Sequence, residues 1–180
     1  MVNIFLVRHG ETLANLNKVN YIESEYNGLT QNGINQAKST ALILADVIFD
    51  ICYCSPLARA IETANEIIKL HPNLKVLTDS RIVERRWGDL EGKKVELGEP
   101  NRWYRYKQFN HANVETVDEM FERIQSFYGD IKLRHPGQNV LVVAHSGVNR
   151  VTRCYLDGFP VDGDLSSFGM SNADCVKFTI

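Results

Sequence analysis

The chain opens on an unbroken apolar run, Ile4–Phe5–Leu6–Val7, as expected of a strand buried on both faces, so the first strand is expected over Val2–Val7. After Thr30, read as a helix N-cap, Ile34, Ala37, Ala41, Leu44 and Ile48 recur at helical spacing. The segment DICYCS (Asp50–Ser55) is short, lies between helical patterns and reads as a strand. Ser55 is expected to cap the next helix with Pro56 at its first position, and Leu57, Ile61, Ala64 and Ile68 to line its buried face. Leu74–Ser80 is a further strand candidate. Thr116 and Glu119 form a capping box ahead of a helix whose buried stripe is Val117, Phe121, Ile124 and Ile131. A strand is expected over Asn139–Ser146. It is followed by a helix carrying Val148, Val151 and Tyr155 that closes near Gly158, and by a last strand over Asp174–Ile180.

Strands and helices that alternate in this way predict an α/β fold with a mostly parallel sheet covered by helices on both sides. A chain of 180 residues suits one domain with a substantial core. The irregular stretch is Gly92–Glu115, rich in aromatic and basic residues and expected to form a flap-like insertion. No apolar run approaches the ~18 residues of a membrane span. The apolar N-terminal stretch lacks a basic leader and a small-residue cleavage site, which points to a cytoplasmic protein. Cys52, Cys54, Cys154 and Cys175 form no CxxC pair and lie in apolar segments, as buried reduced thiols do. The formal net charge of −2 gives no general attraction to nucleic acid or an anionic membrane, so anion binding must come from local clustering. Nothing in the pattern sets an oligomeric state.

Such clustering exists. Sites in open parallel sheets lie beyond the carboxyl ends of the strands. The first strand delivers Arg8 and His9 there, the strand ending near Cys54 leads within a helical turn to Arg59, and the strand ending at Ala144 delivers His145. Each residue alone is ordinary; three strands sending cations or imidazoles to one edge suit a phosphate monoester, whose oxygens accept bidentate arginine forks and helix N-terminal donors. Gly10 and Gly147 are expected to let backbone approach the anion. An imidazole among arginines is held neutral, with a lone pair for attack if a backbone carbonyl orients its other nitrogen. His9 therefore reads as the nucleophile, and His145 as a second imidazole, protonated beside bound phosphate and stabilising its equatorial oxygens. For protonating the leaving group, Glu84 follows a strand, and a bound phosphate dianion beside it favours its acid form; Asp89 and Glu91 compete for the role.

These residues also carry a family signature. RHGET (Arg8–Thr12) with Asn15 resembles the RHGxTxxN motif of the histidine phosphatase superfamily, in its phosphoglycerate mutase-like branch. LTQNGINQA (Leu29–Ala37), SPLARAIETA (Ser55–Ala64), ERRWGDLEG (Glu84–Gly92) and VVAHSG (Val142–Gly147) are similar to its further motifs, in order along nearly the whole chain. The resemblance implies a three-layer α/β/α sandwich with a mixed sheet, a metal-free site and His9 as the phosphohistidine. It implies a phosphate pocket of Arg8, Asn15, Arg59 and His145, with Glu84 as proton donor and later base. Thr12, Arg85 and Ser146, inside the same motifs, join Gly10 and Gly147 as substrate-binding candidates.

The reaction then divides three ways. A phosphomonoesterase acting on a small phosphorylated metabolite, with no cofactor, is the first. A phosphoglycerate mutase primed by 2,3-bisphosphoglycerate is the second, favoured by Arg85 and Trp87 before Gly88. Against it, Val95 stands where mutases carry a lysine, Arg102 and Arg105 are separated rather than consecutive, and the chain ends on its last strand without a shielding tail. The third is a non-catalytic phospho-ligand-binding domain, against which every catalytic position is filled. Trp103, Tyr104, Tyr106 and Phe109, interleaved with Arg102, Arg105 and Lys107, would either cover the substrate or pack the flap. His71, His111 and His135 receive no role.

Overall fold

Side-chain alternation along β1 (Asn3–Arg8) divides the core in two. Ile4 and Leu6 face one layer of helices with Val140 and Val142, while Phe5 and Val7 face the other with Leu141 and Val143. The structure, a computed structural model, describes residues 1–19, 28–93, 107, 111 and 113–180. Its remaining strands are β2 (Ile51–Cys54), β3 (Val76–Thr78), β4 (Asn139–Ala144) and β5 (Cys175–Thr179), in the order β3-β2-β4-β1-β5. Every pairing is parallel except β1 with β5, so the sheet is mixed as expected.

The helices are α1 (Leu13–Asn17), α2 (Gln31–Leu44), α3 (Ala58–Ile68), α4 (Val117–Arg134) and α5 (Ser146–Asp157). Ala41, Leu44, Ala60, Ala64 and Ile67 of α2 and α3 cover the Phe5 face, and Ile124, Phe127, Ile131, Val148 and Val151 of α4 and α5 cover the Ile4 face. Each fully buried side chain of this size contributes about 1.5–3 kcal/mol of transfer free energy. Among the described residues no helix is long and apolar enough to cross a membrane.

Several expectations need correction. Helix α2 stops at Leu44, and Ile48 is 82% exposed, because the chain must turn into β2: Asn139 Nδ2 donates to the Ile48 carbonyl (2.8 Å) and Asp50 N to the Asn139 carbonyl (3.0 Å). Ser55 is not the cap of α3; Leu57 is, and the Ser55 hydroxyl instead meets His145 Nε2 at 2.7 Å. Ile67 rather than Ile68 is the core residue of α3, and Phe121 and Tyr155 are half-buried beside the fully buried Met120, Phe127 and Tyr128. The third strand is only Val76–Thr78, cut short where Asp79 caps a 3₁₀ turn over Ser80–Ile82 and pairs with Arg81 (2.7 Å).

All four cysteines are free, and Cys175 on the edge strand is half-buried. Burial pushes the Cys54 thiol up to about 12, and Cys154 and Cys175 to about 11, so none is a ready nucleophile. Of the flap-like insertion, residues 94–106, 108–110 and 112 lie outside the described residues, among them Val95, Arg102, Trp103, Tyr104, Arg105, Tyr106 and Phe109. Its end is packed: Val114 is buried against Trp87 and Leu90, and Lys107 pairs with Asp118 (3.3 Å).

The loop after β1 is clamped by the start of α2. Thr30 N donates to the Glu11 carbonyl (2.9 Å), Glu11 N to Gln36 Oε1 (2.9 Å), and Thr30 Oγ1 accepts from Gly33 N (3.0 Å) as the helix cap. Gly10 and Gly33 approach backbone to backbone, and a methyl on either meets the other segment's carbonyl. Gly10 is therefore a packing glycine rather than one that makes room for an anion. Gly33→Ala is expected to cost about 1–3 kcal/mol in urea unfolding, the range for overpacking a close contact. Unchanged stability would show that α2 can slide away freely.

Candidate active site

Because β1, β2 and β4 run parallel, their carboxyl ends share one edge, and the side chains just beyond them converge. A pocket of about 140 Å³ opens there, walled by Arg8, His9, Thr12, Asn15, Arg59, Glu84, Arg85, Ser146 and Gly147 of the residues singled out from sequence. Its remaining wall is largely apolar: Ala14, Val19, Trp87, Val117, Met120, Val151 and Leu165, together with Arg150. Gly10 is not on the wall, and neither is His145.

His9 is 3% exposed, and its Nδ1 lies 2.7 Å from the Gly10 carbonyl. A carbonyl can only accept, so the proton sits on Nδ1 and the lone pair on Nε2. Burial, reinforced by the Arg59 and Arg8 guanidiniums, holds His9 well below the ordinary imidazole range, against a smaller opposite effect of the Gly10 bond. His145 stands behind His9 with ring centroids 5.1 Å apart, is wholly buried, and is likewise pushed well below the usual range by burial and then by Arg59.

Backbone and hydroxyl contacts set the cations around this imidazole. Arg8 Nη1 donates to the Met170 carbonyl (2.6 Å). Arg59, in the first turn of α3, is buried, which lowers its proton affinity, while Glu84 and Glu91 act the other way. Thr63 Oγ1 donates to the Arg59 carbonyl (2.7 Å) and accepts from Gly10 N (3.0 Å), tying α3 to the strand tip. Thr12 and Asn15 form the capping box of α1, and Asn15 Oδ1 accepts from Thr12 N (3.1 Å) and from Asn172 Nδ2 (3.0 Å). Asn15 also lies on the pocket wall. Asn172 Nδ2 also donates to the His9 carbonyl (3.1 Å).

On the facing wall Glu84 is aimed by backbone: Oε1 accepts from Arg85 N (2.8 Å) and Gly147 N (3.1 Å). Gly147 lies on the pocket wall, and a methyl there strikes that carboxylate, so the glycine makes room for Glu84. The loop carrying Glu84 hangs on the buried Glu115, whose carboxylate takes Arg123 Nε (2.7 Å) and Nη2 (2.9 Å), Arg86 Nη2 (3.1 Å) and Arg86 N (3.1 Å). Arg85 Nε donates to the Glu115 carbonyl (2.6 Å), and burial pulls the Arg85 guanidinium down to about 10. Asp89 faces Asn113 (3.3 Å) on the surface, and neither it nor Glu91 reaches the pocket wall. The assembly is a concave pocket with a neutral imidazole, the guanidiniums of Arg8, Arg59, Arg85 and Arg150 and the Glu84 carboxylate on its wall, a set suited to an oxyanion.

Thr63, Glu115, Arg123 and Asn172 went unnoticed in the sequence. Thr63 lies inside a quoted motif; the others carry no local signal, and Asn172 reaches His9 only because β5 pairs beside β1.

Two measurements follow from these environments. An imidazole whose folded proton affinity is depressed adds no pH dependence above the unfolded value of about 6.5; below it the unfolded chain takes up a proton that the fold refuses, so stability falls. Between pH 7.5 and 5.5 the loss is expected to be roughly 1.4 kcal/mol for each of His9 and His145, read as the difference in urea unfolding from a His9→Gln/His145→Gln variant. Parallel profiles would refute it. Arg123→Met is expected to cost about 3–5 kcal/mol by leaving Glu115 under-compensated, and the Arg123→Met/Glu115→Gln double variant less than the sum of the singles. Additive losses would show the pair is uncoupled.

Comparison with known proteins agrees with this geometry. The profile of the histidine phosphatase superfamily (branch 1) matches residues 4–180. A Bacillus subtilis (strain 168) protein named uncharacterized phosphatase PhoE is 32% identical over 173 residues, covering 96% of this chain and 86% of its own. Phosphoserine phosphatase 1 of Hydrogenobacter thermophilus is 32% identical over 192 residues, covering 100% and 86%. Among solved structures, Bacillus stearothermophilus YhfR aligns with a TM-score of 0.89 at 24% identity, over 100% of this chain and 92% of that one, a likeness of fold. With four of the five quoted motifs contributing to one pocket and the family profile spanning residues 4–180, the chain belongs to the histidine phosphatase superfamily, branch 1.

Proposed function

We propose that the protein hydrolyses phosphomonoesters of small metabolites through a phosphohistidine on His9. The observation that carries this reading is the 2.7 Å contact of His9 Nδ1 with the Gly10 carbonyl, which leaves Nε2 as the lone-pair nitrogen on a wall shared with Arg8, Arg59 and Glu84. Nε2 attacks phosphorus, the ester P–O bond breaks, and Glu84 gives its proton to the departing oxygen. Glu84 then takes a proton from water, whose oxygen attacks the phosphohistidine; the N–P bond breaks and inorganic phosphate leaves. Arg8, Arg59 and the Asn15 amide hold the equatorial oxygens. His145, behind His9, gains a proton as the dianion arrives and adds to that field. The steps use this chain's own side chains, in a cytoplasmic setting, and no nucleic acid or membrane enters them.

Hydrolysis is favoured over phosphate return by the far wall. Val19, Val117, Met120, Val151 and Leu165 suit a partly apolar leaving group better than a sugar acid. A mutase primed by 2,3-bisphosphoglycerate is the other reading of the same residues, favoured by Arg85 on the pocket wall.

Phosphate release from p-nitrophenyl phosphate and from alkyl esters, phosphoserine and 3-phosphoglycerate among them, tests both. His9→Ala is expected to abolish release from every ester. Glu84→Gln is expected to cut kcat by about 10²–10⁴ on alkyl esters and far less on p-nitrophenyl phosphate, whose leaving group needs no proton. Release by His9→Ala at the wild-type rate would sink the phosphohistidine. Rapid isomerisation of primed 3-phosphoglycerate with negligible phosphate release would make the protein a mutase.

A further inference from the structure

Of the five quoted motifs, LTQNGINQA (Leu29–Ala37) alone sends no residue to the pocket wall, although it opens α2 beside the loop that follows His9. Among its bonds to that loop, Gln36 Oε1 accepts from Glu11 N at 2.9 Å. Glu11 N and the Gly10 carbonyl belong to one planar peptide, and in a trans peptide the two groups point in opposite directions. Drawing the N–H toward Gln36 therefore turns the carbonyl the other way, where it receives His9 Nδ1 (2.7 Å). The preceding peptide is held as firmly. Gly10 N donates to Thr63 Oγ1 (3.0 Å), and the His9 carbonyl on its far edge accepts from Ala173 N (3.2 Å) and Asn172 Nδ2 (3.1 Å). The Thr63 hydroxyl has no choice of direction: it accepts from Gly10 N, so its own hydrogen goes to the Arg59 carbonyl (2.7 Å).

A glycine needs such help. With no Cβ, residue 10 has a wide choice of backbone angles, and the peptides on either side of it would rotate if their edges were not bonded. Rotation would withdraw the carbonyl that selects which imidazole nitrogen carries the proton. We propose that Gln36 and Thr63 are positioning residues for the nucleophile: by fixing the two peptides that meet at Gly10, they aim its carbonyl at His9 Nδ1 and so keep the lone pair on Nε2. The inference rests on the reading of His9 as the nucleophile, and it gives the motif at the start of α2 a function. Neither residue stands on the pocket wall, so both act through the backbone and not on the substrate. Their weights differ. Gln36 is half-buried, and water can take over part of its bond to Glu11 N. Thr63 is fully buried, and losing its hydroxyl strands the Gly10 N–H, whose acceptor among the described residues it is.

The test is ¹⁵N NMR of the imidazole rings at pH 7.5, with the His9 signals assigned by their loss in His9→Ala. Wild-type His9 is expected to show a protonated, pyrrole-type Nδ1 and a pyridine-type Nε2. In Gln36→Met and Thr63→Val both signals are expected to move toward tautomer-averaged positions, and Thr63→Ser, which keeps the hydroxyl, to restore them. Over the same variants kcat/KM for p-nitrophenyl phosphate is expected to fall about 2- to 13-fold in Gln36→Met, the span of one net hydrogen bond, and about 5- to 150-fold in Thr63→Val, the span of a stranded buried donor. Gln36→Met keeps the test open if Thr63→Val does not fold. Wild-type signals as expected but unmoved in the variants overturn the proposal alone, even where the melting temperature drops, since the two residues are then merely structural. A wild-type His9 with its proton on Nε2 overturns the reading of the nucleophile and the proposal with it.

Discussion

His9 sits where three parallel strands end, and its Nδ1 bond to the Gly10 carbonyl is the constraint around which the site is arranged. The bond matters less for its strength than for what it forbids. With the proton held on Nδ1, the ring cannot turn its lone pair inward, and with Arg8 and Arg59 nearby it resists a second proton. At one buried edge, burial and the two guanidiniums together keep both imidazoles neutral. The fold holds this arrangement through backbone: Ala144 and Asn172 bracket the His9 peptide, and Thr63 ties Gly10 to α3.

The facing wall follows the opposite electrostatic rule. Around Glu115 the charges are compensated within the protein, with one buried carboxylate shared between Arg123 and Arg86 and its carbonyl taken by Arg85. This wall is settled before any ligand binds, and it carries Glu84. The contrast has a mechanical meaning. The pocket side gathers Arg8 and Arg59 beside His9, and the side that carries Glu84 is stapled by a bidentate pair. The two sides meet at Gly147, where the absent methyl lets the carboxylate reach the first turn of α5.

What was legible in the sequence divides along the same line. Arg8, His9, Arg59 and Glu84 could be found because each stands just after a strand pattern or at a helix start, and a parallel sheet sends all such positions to one edge. The alternation of Ile4 with Phe5 likewise foretold two helix layers. Ser55 shows the limit of local reasoning: a serine before a proline is a good cap by propensity, yet the hydroxyl goes to His145, 90 residues away, because a buried imidazole nitrogen is the more demanding partner. Asn172 and Arg123 were invisible for a related reason. Their partners lie 163 residues and between 8 and 42 residues off, joined by strand order and helix docking rather than by spacing. Gly10 lies off the pocket wall and packs on Gly33, a long-range contact with no local signal, while Gly147 lies on that wall and makes room for Glu84.

Glycine approach and hydrogen-bonded loops together explain how this cluster is held on a small sheet. The Gly10–Gly33 contact places the start of α2 directly against the loop that follows His9, so that loop has little room to relax away from the arginines. Thr30 and Gln36 then take up its backbone groups, which removes the alternative of swinging the loop out to water. A cationic edge on a freely moving loop would simply spread apart. Clamped between α2, α3 and β5, the loop keeps Arg8 and His9 in a fixed relation to Arg59.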